Sequence, residues 1–155
     1  RIARLVVQKL FGTVTGKRLA ILGFAFKADT NDTREAPAIR ICGDLLEEGA
    51  QLAIHDPKVD PVQIARDLKQ EAAAAADALS GTGSWALAGS VEEAVSGADA
   101  VLILTEWRQY RQLNWADLAA RMRRPAWVFD SRAVSDPHQV RAAGLSFWRV
   151  GDGEG

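Results

Sequence analysis

The sequence has 155 residues, of which 48% are hydrophobic and 25% charged, and its formal net charge is −1 at pH 7. A chain of this length and composition can bury the core of one globular domain. The small charge argues against nucleic-acid binding through a basic surface, and no run of about 18 apolar residues predicts a membrane-spanning helix.

The chain begins inside a helical pattern. Apolar side chains recur at the spacing of one helix face, at Ile2, Leu5, Val6 and Leu10. The first residue is arginine rather than methionine. We therefore expect residues 1–12 to be the end of a helix that starts in a longer protein.

Six apolar runs rich in β-forming residues alternate with helical patterns along the rest of the chain. The runs predict strands at residues 18–26, 51–56, 84–89, 100–106, 126–131 and 145–150. Helical patterns cover residues 36–50, 60–79, 91–99, 114–122 and 137–144. Continuous apolar runs fit strands that are covered on both faces. The sequence therefore predicts an α/β, Rossmann-like, doubly wound and mostly parallel six-stranded sheet with helices on both faces and strand order 3-2-1-4-5-6.

Several residues mark helix boundaries in this scheme. Pro37 suits the first turn of the helix after strand 1, and Gly49 suits its end. Asn114 is a predicted N-cap. The alanine-rich part of residues 60–79 predicts a surface helix that is followed by a flexible loop.

The connection after the first predicted strand, residues 27–36, is long and charged. Its charged residues are Lys27, Asp29, Asp32, Arg34 and Glu35. A dinucleotide site would need the pattern G-x-G-x-x-G, and the stretch GFAFKA, residues 23–28, offers one glycine, Gly23. The domain is therefore not expected to bind NAD by itself. The connection exceeds the usual length of about 2–6 residues, which indicates a binding role.

Charged residues follow three neighbouring strands of the predicted sheet. Lys27 follows strand 1, Glu106 lies at the end of strand 4 and Arg132 follows strand 5. In open α/β sheets, ligands bind outside the carboxyl ends of the strands, where the strand order reverses. The two cations suit an anion, and arginine offers a bidentate fork for phosphate. The alternative is that each is a solvated loop charge.

The cysteine and the histidines indicate no metal centre. Cys42 is the single cysteine and is spaced with Ile39 and Leu46 on a predicted buried helix face, as an inert core thiol would be. His55 and His138 form no metal-ligand spacing. One cysteine and no signal peptide lead us to expect a reducing cytoplasm.

The segment GFAFKADTNDTREAPAI, residues 23–39, closely resembles the signature that opens the C-terminal domain of the UDP-glucose/GDP-mannose dehydrogenase family. The typical form is G-(L/F)-(A/T)-F-K-x-x-T-x-D-x-R-E-S-P. Other segments resemble the same family, namely LFGTVTGKRLAILGF, LLEEGAQLAIHDPKVDPVQIARDL, ADAVLILTEWRQYRQLNW and RPAWVFDSRAVSD. The resemblance covers nearly the whole chain and favours the branch that acts on UDP-glucose.

The resemblance implies a fragment of an NAD-dependent oxidoreductase. Enzymes of this kind oxidise UDP-glucose to UDP-glucuronate in two NAD-reducing steps. Residues 1–12 would be the end of the central connecting helix and 13–155 the UDP-binding domain, while the N-terminal domain that binds NAD and carries catalysis would be absent. No catalytic residue is then expected here, and the isolated domain should be inactive. UDP-glucose and the N-terminal domain would be its partners, and the full-length enzyme would be a homo-oligomer.

The resemblance also assigns roles to individual residues. Phe26 and Lys27 match positions that hold the UDP-sugar, and Arg132 matches an arginine that binds it from the opposite side. Arg34 matches an arginine that reaches NAD on the other domain. Asp32 and Glu35 would order that loop and Arg34.

One departure from the family signature and several alternatives stay open. Ala36 stands where the family often has serine. The substrate could instead be GDP-mannose or UDP-N-acetylmannosamine. The chain could also be a nucleotide-binding module without enzymatic activity, or a structural interaction domain.

Overall fold

One sheet of six parallel strands organises the chain. The computed structural model describes residues 2–73 and 83–151. The strands are β1 Arg18–Leu22, β2 Gln51–His55, β3 Ser84–Leu87, β4 Ala100–Ile103, β5 Trp127–Asp130 and β6 Ser146–Arg149. Their order, β3-β2-β1-β4-β5-β6, confirms the predicted doubly wound topology.

Helices connect the strands and cover the sheet. In the described part of the chain they are α1 Ile2–Lys9, α2 Pro37–Glu47, α3 Pro61–Leu68, α4 Val91–Val95, α5 Trp115–Arg121, α6 Pro137–Ala142 and a 3₁₀ helix, Arg108–Gln112. α1, α2 and α3 pack in succession, and so do α4, α5 and α6. Two helix groups of this kind are what right-handed crossovers in both directions from β1 produce.

The central strands β1 and β4 are covered on both faces. Residues 19–22 of β1 and 100–103 of β4 are all fully buried. Because successive side chains of a strand point to opposite faces, this burial requires packing on each side of the sheet. The strand order reverses between these two strands, where Leu22 is paired with Ile103. Ligand binding is therefore expected just beyond this pair.

The helix boundaries follow the predicted signals. Side chains cap the first turns of α3, α4, α5 and α6, and the capping residues are Asp60, Ser90, Asn114 and Asp136. Pro37 occupies the first turn of α2. Gly49 lies just past the end of α2 with a φ of +87°. The predictions for Pro37, Gly49 and Asn114 are confirmed.

Helix α2 begins without a side-chain cap, because Ala36 stands at its N-cap position. A hydroxyl there can accept a hydrogen bond from an amide of the first turn, and such a cap contributes about 1 kcal/mol. We expect Ala36→Ser to raise the free energy of unfolding by about that amount in urea denaturation. Asp60→Ala is the matched control and should lower the free energy of unfolding by a similar amount. It removes the cap bond from the Gln63 amide to Asp60 Oδ1, which is 2.8 Å long. An Ala36→Ser chain no more stable than wild type would contradict this account.

Two predicted strands end earlier than expected. β1 stops at Leu22 rather than at residue 26, and β4 stops at Ile103 rather than at residue 106. Gly23, with a φ of +99°, turns the chain at the end of β1. The next two amides then donate to the carboxylate of Asp56 instead of continuing the sheet.

The helix predicted at residues 60–79 is also shorter than expected. α3 ends before Lys69, which has a left-handed φ of +55°. The amide of Ala73 donates to the carbonyl oxygen of Trp85 at 2.8 Å, so this segment is bonded to β3. A tertiary contact thus overrides local helix propensity in the described part, and residues 74–79 lie outside the described residues.

Cys42 is fully buried in α2, and burial raises the pKa of its thiol, as expected for an inert core cysteine. Among residues 2–73 and 83–151, no group of three or more histidine, cysteine, aspartate or glutamate side chains is arranged to hold a metal ion. No helix in these two ranges has the length and hydropathy needed to cross a membrane.

Candidate functional site

The chain leaves β1, β4 and β5 at one edge of the sheet. We call the three departing segments, residues 23–27, 104–107 and 131–132, the crevice. An ideal Cβ on Gly23 would lie 2.4 Å from Thr105 Cβ, closer than real Cβ atoms approach. Thr105 Oγ1 donates to the carbonyl oxygen of Ala25 at 2.8 Å. The segments after β1 and β4 are therefore in direct contact.

Phe26 and Lys27 follow this contact and are open to solvent. The side chain of Phe26 is 43% exposed, unlike most large apolar side chains of the described residues. Lys27 is also exposed. The amide of Phe26 donates to the carbonyl oxygen of Asp32 at 2.8 Å, which closes residues 26–32 into a compact turn. This turn places two exposed side chains, Phe26 and Lys27, shortly after the end of β1.

Arg132 leaves β5 on the other side of β4. Its Nη2 lies 2.7 Å from Glu106 Oε1 as an ion pair that lacks the alignment of a hydrogen bond. Its amide donates to Asp130 Oδ1 at 3.0 Å, and Ser131 Oγ donates to the carbonyl oxygen of Ile103 at 2.7 Å. These contacts hold Arg132 in place. Because a guanidinium has five N–H donors, others remain for a ligand.

The structure thus brings the segments of Phe26, Lys27 and Arg132 to one edge of the sheet. The segment that carries Lys27 contacts Thr105, and Arg132 contacts Glu106. Both contacts are therefore with the segment that follows β4, residues 104–107. Two cations thus follow the strands on either side of β4, and one of them, Arg132, is paired with the Glu106 carboxylate. That the three residues contact a ligand stays a prediction.

Arg34 lies apart, beside a cleft of about 560 Å³ between its loop and α3. Its side chain is 89% exposed and is paired with Asp32, with Nε 3.1 Å from Oδ1 and Nη2 3.0 Å from Oδ2. These bonds and the bond from the Arg34 amide lower the pKa of Asp32 to about 2. Arg34 is thus held at the rim and stays accessible from outside.

Side chains of α3 fix the second half of the β1–α2 loop, residues 23–36. Gln63 Nε2 donates to the carbonyl oxygen of Asn31 at 2.8 Å and to Thr33 Oγ1 at 2.9 Å, and Thr33 Oγ1 donates to Asp67. Of the two acidic residues expected to order Arg34, Asp32 bonds it directly. Glu35 has a φ of +58° and acts on Arg34 through its charge.

The beginning of this loop does not form a pyrophosphate cradle. In dinucleotide-binding folds, amides of the glycine-rich turn face the pyrophosphate. Here the amides of Phe24 and Ala25 donate to Asp56 Oδ2 at 2.8 and 3.0 Å. Because these donors are already used inside the protein, the end of β1 does not fit the pyrophosphate of NAD.

A buried polar cluster lies behind the crevice. Tyr110 Oη is 2.8 Å from His55 Nδ1 and 3.2 Å from the His55 carbonyl oxygen. Burial lowers the pKa of His55 and raises that of Tyr110, so both are neutral near pH 7. Trp107 is 6% exposed and donates from Nε1 to Asp56 Oδ2 at 3.1 Å. It is a core residue rather than an open ligand-contact surface.

Sequence reasoning gave no role to Asp56, although one signal pointed to it. An acidic residue at the end of β2 is where dinucleotide-binding folds place the carboxylate that bonds a ribose. In this chain the carboxylate is turned inward and accepts bonds from both β1 and β4 exit segments. The place of Asp56 at the end of β2 could be predicted from the sequence, but the direction of its side chain could not.

Sequence comparisons with known proteins indicate one family. Residues 20–137 match the sequence model of the UDP-glucose/GDP-mannose dehydrogenase family, UDP binding domain. The protein named UDP-glucose 6-dehydrogenase 5 of Oryza sativa subsp. japonica is 41% identical over 161 residues, covering 97% of this chain and 33% of that protein. The protein named UDP-glucose 6-dehydrogenase of Rattus norvegicus is 44% identical over 153 residues, covering 97% and 31%. The chain spans about a third of the length of these relatives.

A solved structure shows the same fold. The structure of UDP-D-ManNAc dehydrogenase from Pyrococcus horikoshii superposes with a TM-score of 0.70 at 23% identity, covering 97% of this chain and 29% of that one. The sequence match is more specific than this likeness, because it follows the chain from β1 to the start of α6 and includes every segment of the crevice. This chain therefore belongs to the UDP-glucose/GDP-mannose dehydrogenase family, as its UDP-binding domain.

Proposed function

We propose that the chain is the UDP-sugar-binding domain of an NAD-dependent UDP-glucose 6-dehydrogenase, which oxidises UDP-glucose to UDP-glucuronate in two NAD-reducing steps. The observation that carries this proposal is the placement of Lys27 and Arg132 on either side of β4, at the reversal of strand order and within the family match. The rice and rat relatives, which are 41% and 44% identical, support the choice of UDP-glucose.

The crevice residues suit the nucleotide part of such a substrate. The Lys27 ammonium and the Arg132 guanidinium would bind the diphosphate, for which arginine offers two parallel N–H donors. The half-exposed ring of Phe26 would supply an apolar contact beside them. Binding energy gained far from the reacting C6 carbon holds that carbon in position for chemistry elsewhere in the enzyme.

NAD is the hydride acceptor in this reaction. We assign its main binding site to an N-terminal domain of the parent enzyme. Within this chain, Arg34 is the residue that we assign to NAD. Its side chain is 89% exposed and lies beside the cleft between its loop and α3. To reach a ligand it must leave Asp32, and ion pairs at such exposure are weak.

The domain boundaries and the assembly follow from the same proposal. Residues 1–12, which contain α1, would end the connecting helix, and residues 13–155 would form the domain. The parent enzyme would be a homo-oligomer. On this proposal the isolated chain turns over no substrate, because the catalytic residues belong to the other domain.

Ligand binding by the chain tests the proposal. UDP is expected to raise the thermal midpoint, since a ligand that binds the folded state stabilises it, and GDP at the same concentration is expected to raise it less. A larger shift with GDP would favour a GDP-mannose enzyme, and equal shifts would show that this domain does not distinguish the two bases. No shift with either nucleotide would refute the binding role and favour a structural interaction domain. Incubation with UDP-glucose and NAD should yield no NADH, and NADH formation would refute the assignment of catalysis to another domain.

A further inference from the structure

Asp56 is a buried carboxylate with an unusual number of donors. It follows β2 and is 9% exposed. Its Oδ2 accepts hydrogen bonds from the amides of residues 24 and 25, at 2.8 and 3.0 Å, and from Trp107 Nε1 at 3.1 Å. Its Oδ1 accepts from the amides of residues 58 and 59, at 2.9 and 3.1 Å. One side chain therefore binds donors from three separate segments.

Two of these segments carry the crevice. The amides of residues 24 and 25 immediately precede Phe26 and Lys27. Trp107 immediately follows Glu106, whose carboxylate is paired with Arg132. The Asp56 carboxylate thus bonds both of these crevice segments directly, and it joins them through a single oxygen atom, Oδ2.

Only an ionised carboxylate suits this position. It is acceptor-only and has about four lone-pair sites on two oxygens, so it can serve several N–H donors at once. An amide of the same shape would present an NH₂ group to two or three of the donors, whichever way it is turned. Hydrogen bonds to a charged acceptor are also roughly twice as strong as neutral ones, which makes the anchor rigid.

We infer that Asp56 is a positioning residue for the nucleotide site: it sets the spacing between the Phe26–Lys27 turn and the Glu106–Arg132 pair that together bind the diphosphate. This inference rests on the proposed function. Asp56 does not contact the ligand in this scheme, because its oxygens are engaged inside the protein. It acts by holding these two crevice segments at the separation that fits the ligand.

The Asp56→Asn variant tests this inference through UDP affinity. We expect the dissociation constant of UDP, measured by calorimetry on the 155-residue chain, to rise about tenfold, which corresponds to about 1.4 kcal/mol. The thermal midpoint is measured for each variant, and titrations are run well below all midpoints, so that affinity is compared between folded chains. A lowered midpoint with unchanged affinity would overturn the inference, because a purely structural role predicts that result.

Asp99→Asn is the matched control. Asp99 is a partly buried aspartate at the opposite, amino-terminal edge of the sheet, where its Oδ2 accepts from the Arg18 amide at 3.1 Å. It should lose stability without any change in UDP affinity. If Asp99→Asn weakens UDP binding as much as Asp56→Asn does, general destabilisation explains both and the inference is wrong.

A second variant decides the question if Asp56→Asn does not fold. Trp107→Phe keeps an aromatic ring and removes one of the five donors to Asp56. We expect the dissociation constant of UDP to rise about threefold, and an unchanged value would overturn the inference. A wild-type chain that fails to bind UDP would refute the proposed function and this inference with it. A wild-type chain that binds UDP while both variants bind equally well would refute the inference alone.

Discussion

Replacing Arg132 by alanine is expected to weaken UDP binding by between about tenfold and a hundredfold. Hydrogen bonds to charged groups contribute about 1.5–3 kcal/mol each, and every 1.4 kcal/mol is a factor of about ten in affinity. Arg132→Lys keeps the charge and loses the planar fork, so it should recover only part of the loss. Titration calorimetry with UDP measures both variants against wild type.

Arg123→Ala is the matched control for the Arg132 variants. Arg123 also pairs with a carboxylate, with Nε 3.8 Å from Asp99 Oδ1, but it lies at the amino-terminal edge of the sheet. It removes the same charge far from the crevice and should leave UDP affinity unchanged. If Arg132→Ala binds UDP as tightly as Arg123→Ala does, the crevice is not the nucleotide site.

The sheet could be predicted from the sequence because its signal is redundant along the chain. The segments LAIL of β1 and AVLI of β4 are apolar at every position, and all of these residues are buried. Such runs are typical of parallel strands between two helix layers, and right-handed crossovers then leave few possible strand orders. The carboxyl edge and the positions of Lys27 and Arg132 on it followed from that order.

The ends of the elements depended on contacts that are distant in sequence. Residues 24–26 continue the apolar pattern of β1, yet they leave the sheet. The amides of residues 24 and 25 donate to Asp56, about thirty residues later, and the amide of Phe26 donates to the carbonyl oxygen of Asp32. The alanine-rich stretch after α3 has helix propensity, but its described part is bonded to Trp85 of β3. Local patterns cannot encode such partners, so strand and helix lengths were overestimated.

The same limit applied to the candidate site. The charge of Arg132 and its place after β5 were evident, whereas its ion pair with Glu106 depends on how two loops approach each other. The pairing of Arg34 with Asp32 was closer to prediction, because the two residues are two positions apart in one turn. Sequence reasoning therefore located the cations of the site and the local partner of Arg34, but not the partner of Arg132.

Gly23→Ala is expected to lower the free energy of unfolding by about 2–6 kcal/mol. Overpacking typically costs about 1–3 kcal/mol, and a backbone in a sparsely populated region costs about as much again for a residue with a Cβ. Here the Cβ would lie 2.5 Å from Thr105 Oγ1 and 2.7 Å from the Thr105 backbone nitrogen, and φ is +99°. Thr105 cannot yield easily, since its hydroxyl is bonded to Ala25 and the preceding Leu104 amide is bonded to β1.

Alanine variants at two other glycines separate the cost of overpacking from the cost of backbone strain. Gly97 has a φ of +76° and nothing within 4 Å of an added Cβ, so Gly97→Ala should show the backbone strain alone. Gly43 lies inside α2 with equally open space and no positive φ, so Gly43→Ala should stabilise the chain by up to about 1 kcal/mol. Urea denaturation should therefore rank the alanine variants at 43, 97 and 23 in falling stability. A Gly23→Ala chain no less stable than Gly97→Ala would show that the exits of β1 and β4 are not in the close contact on which the crevice depends.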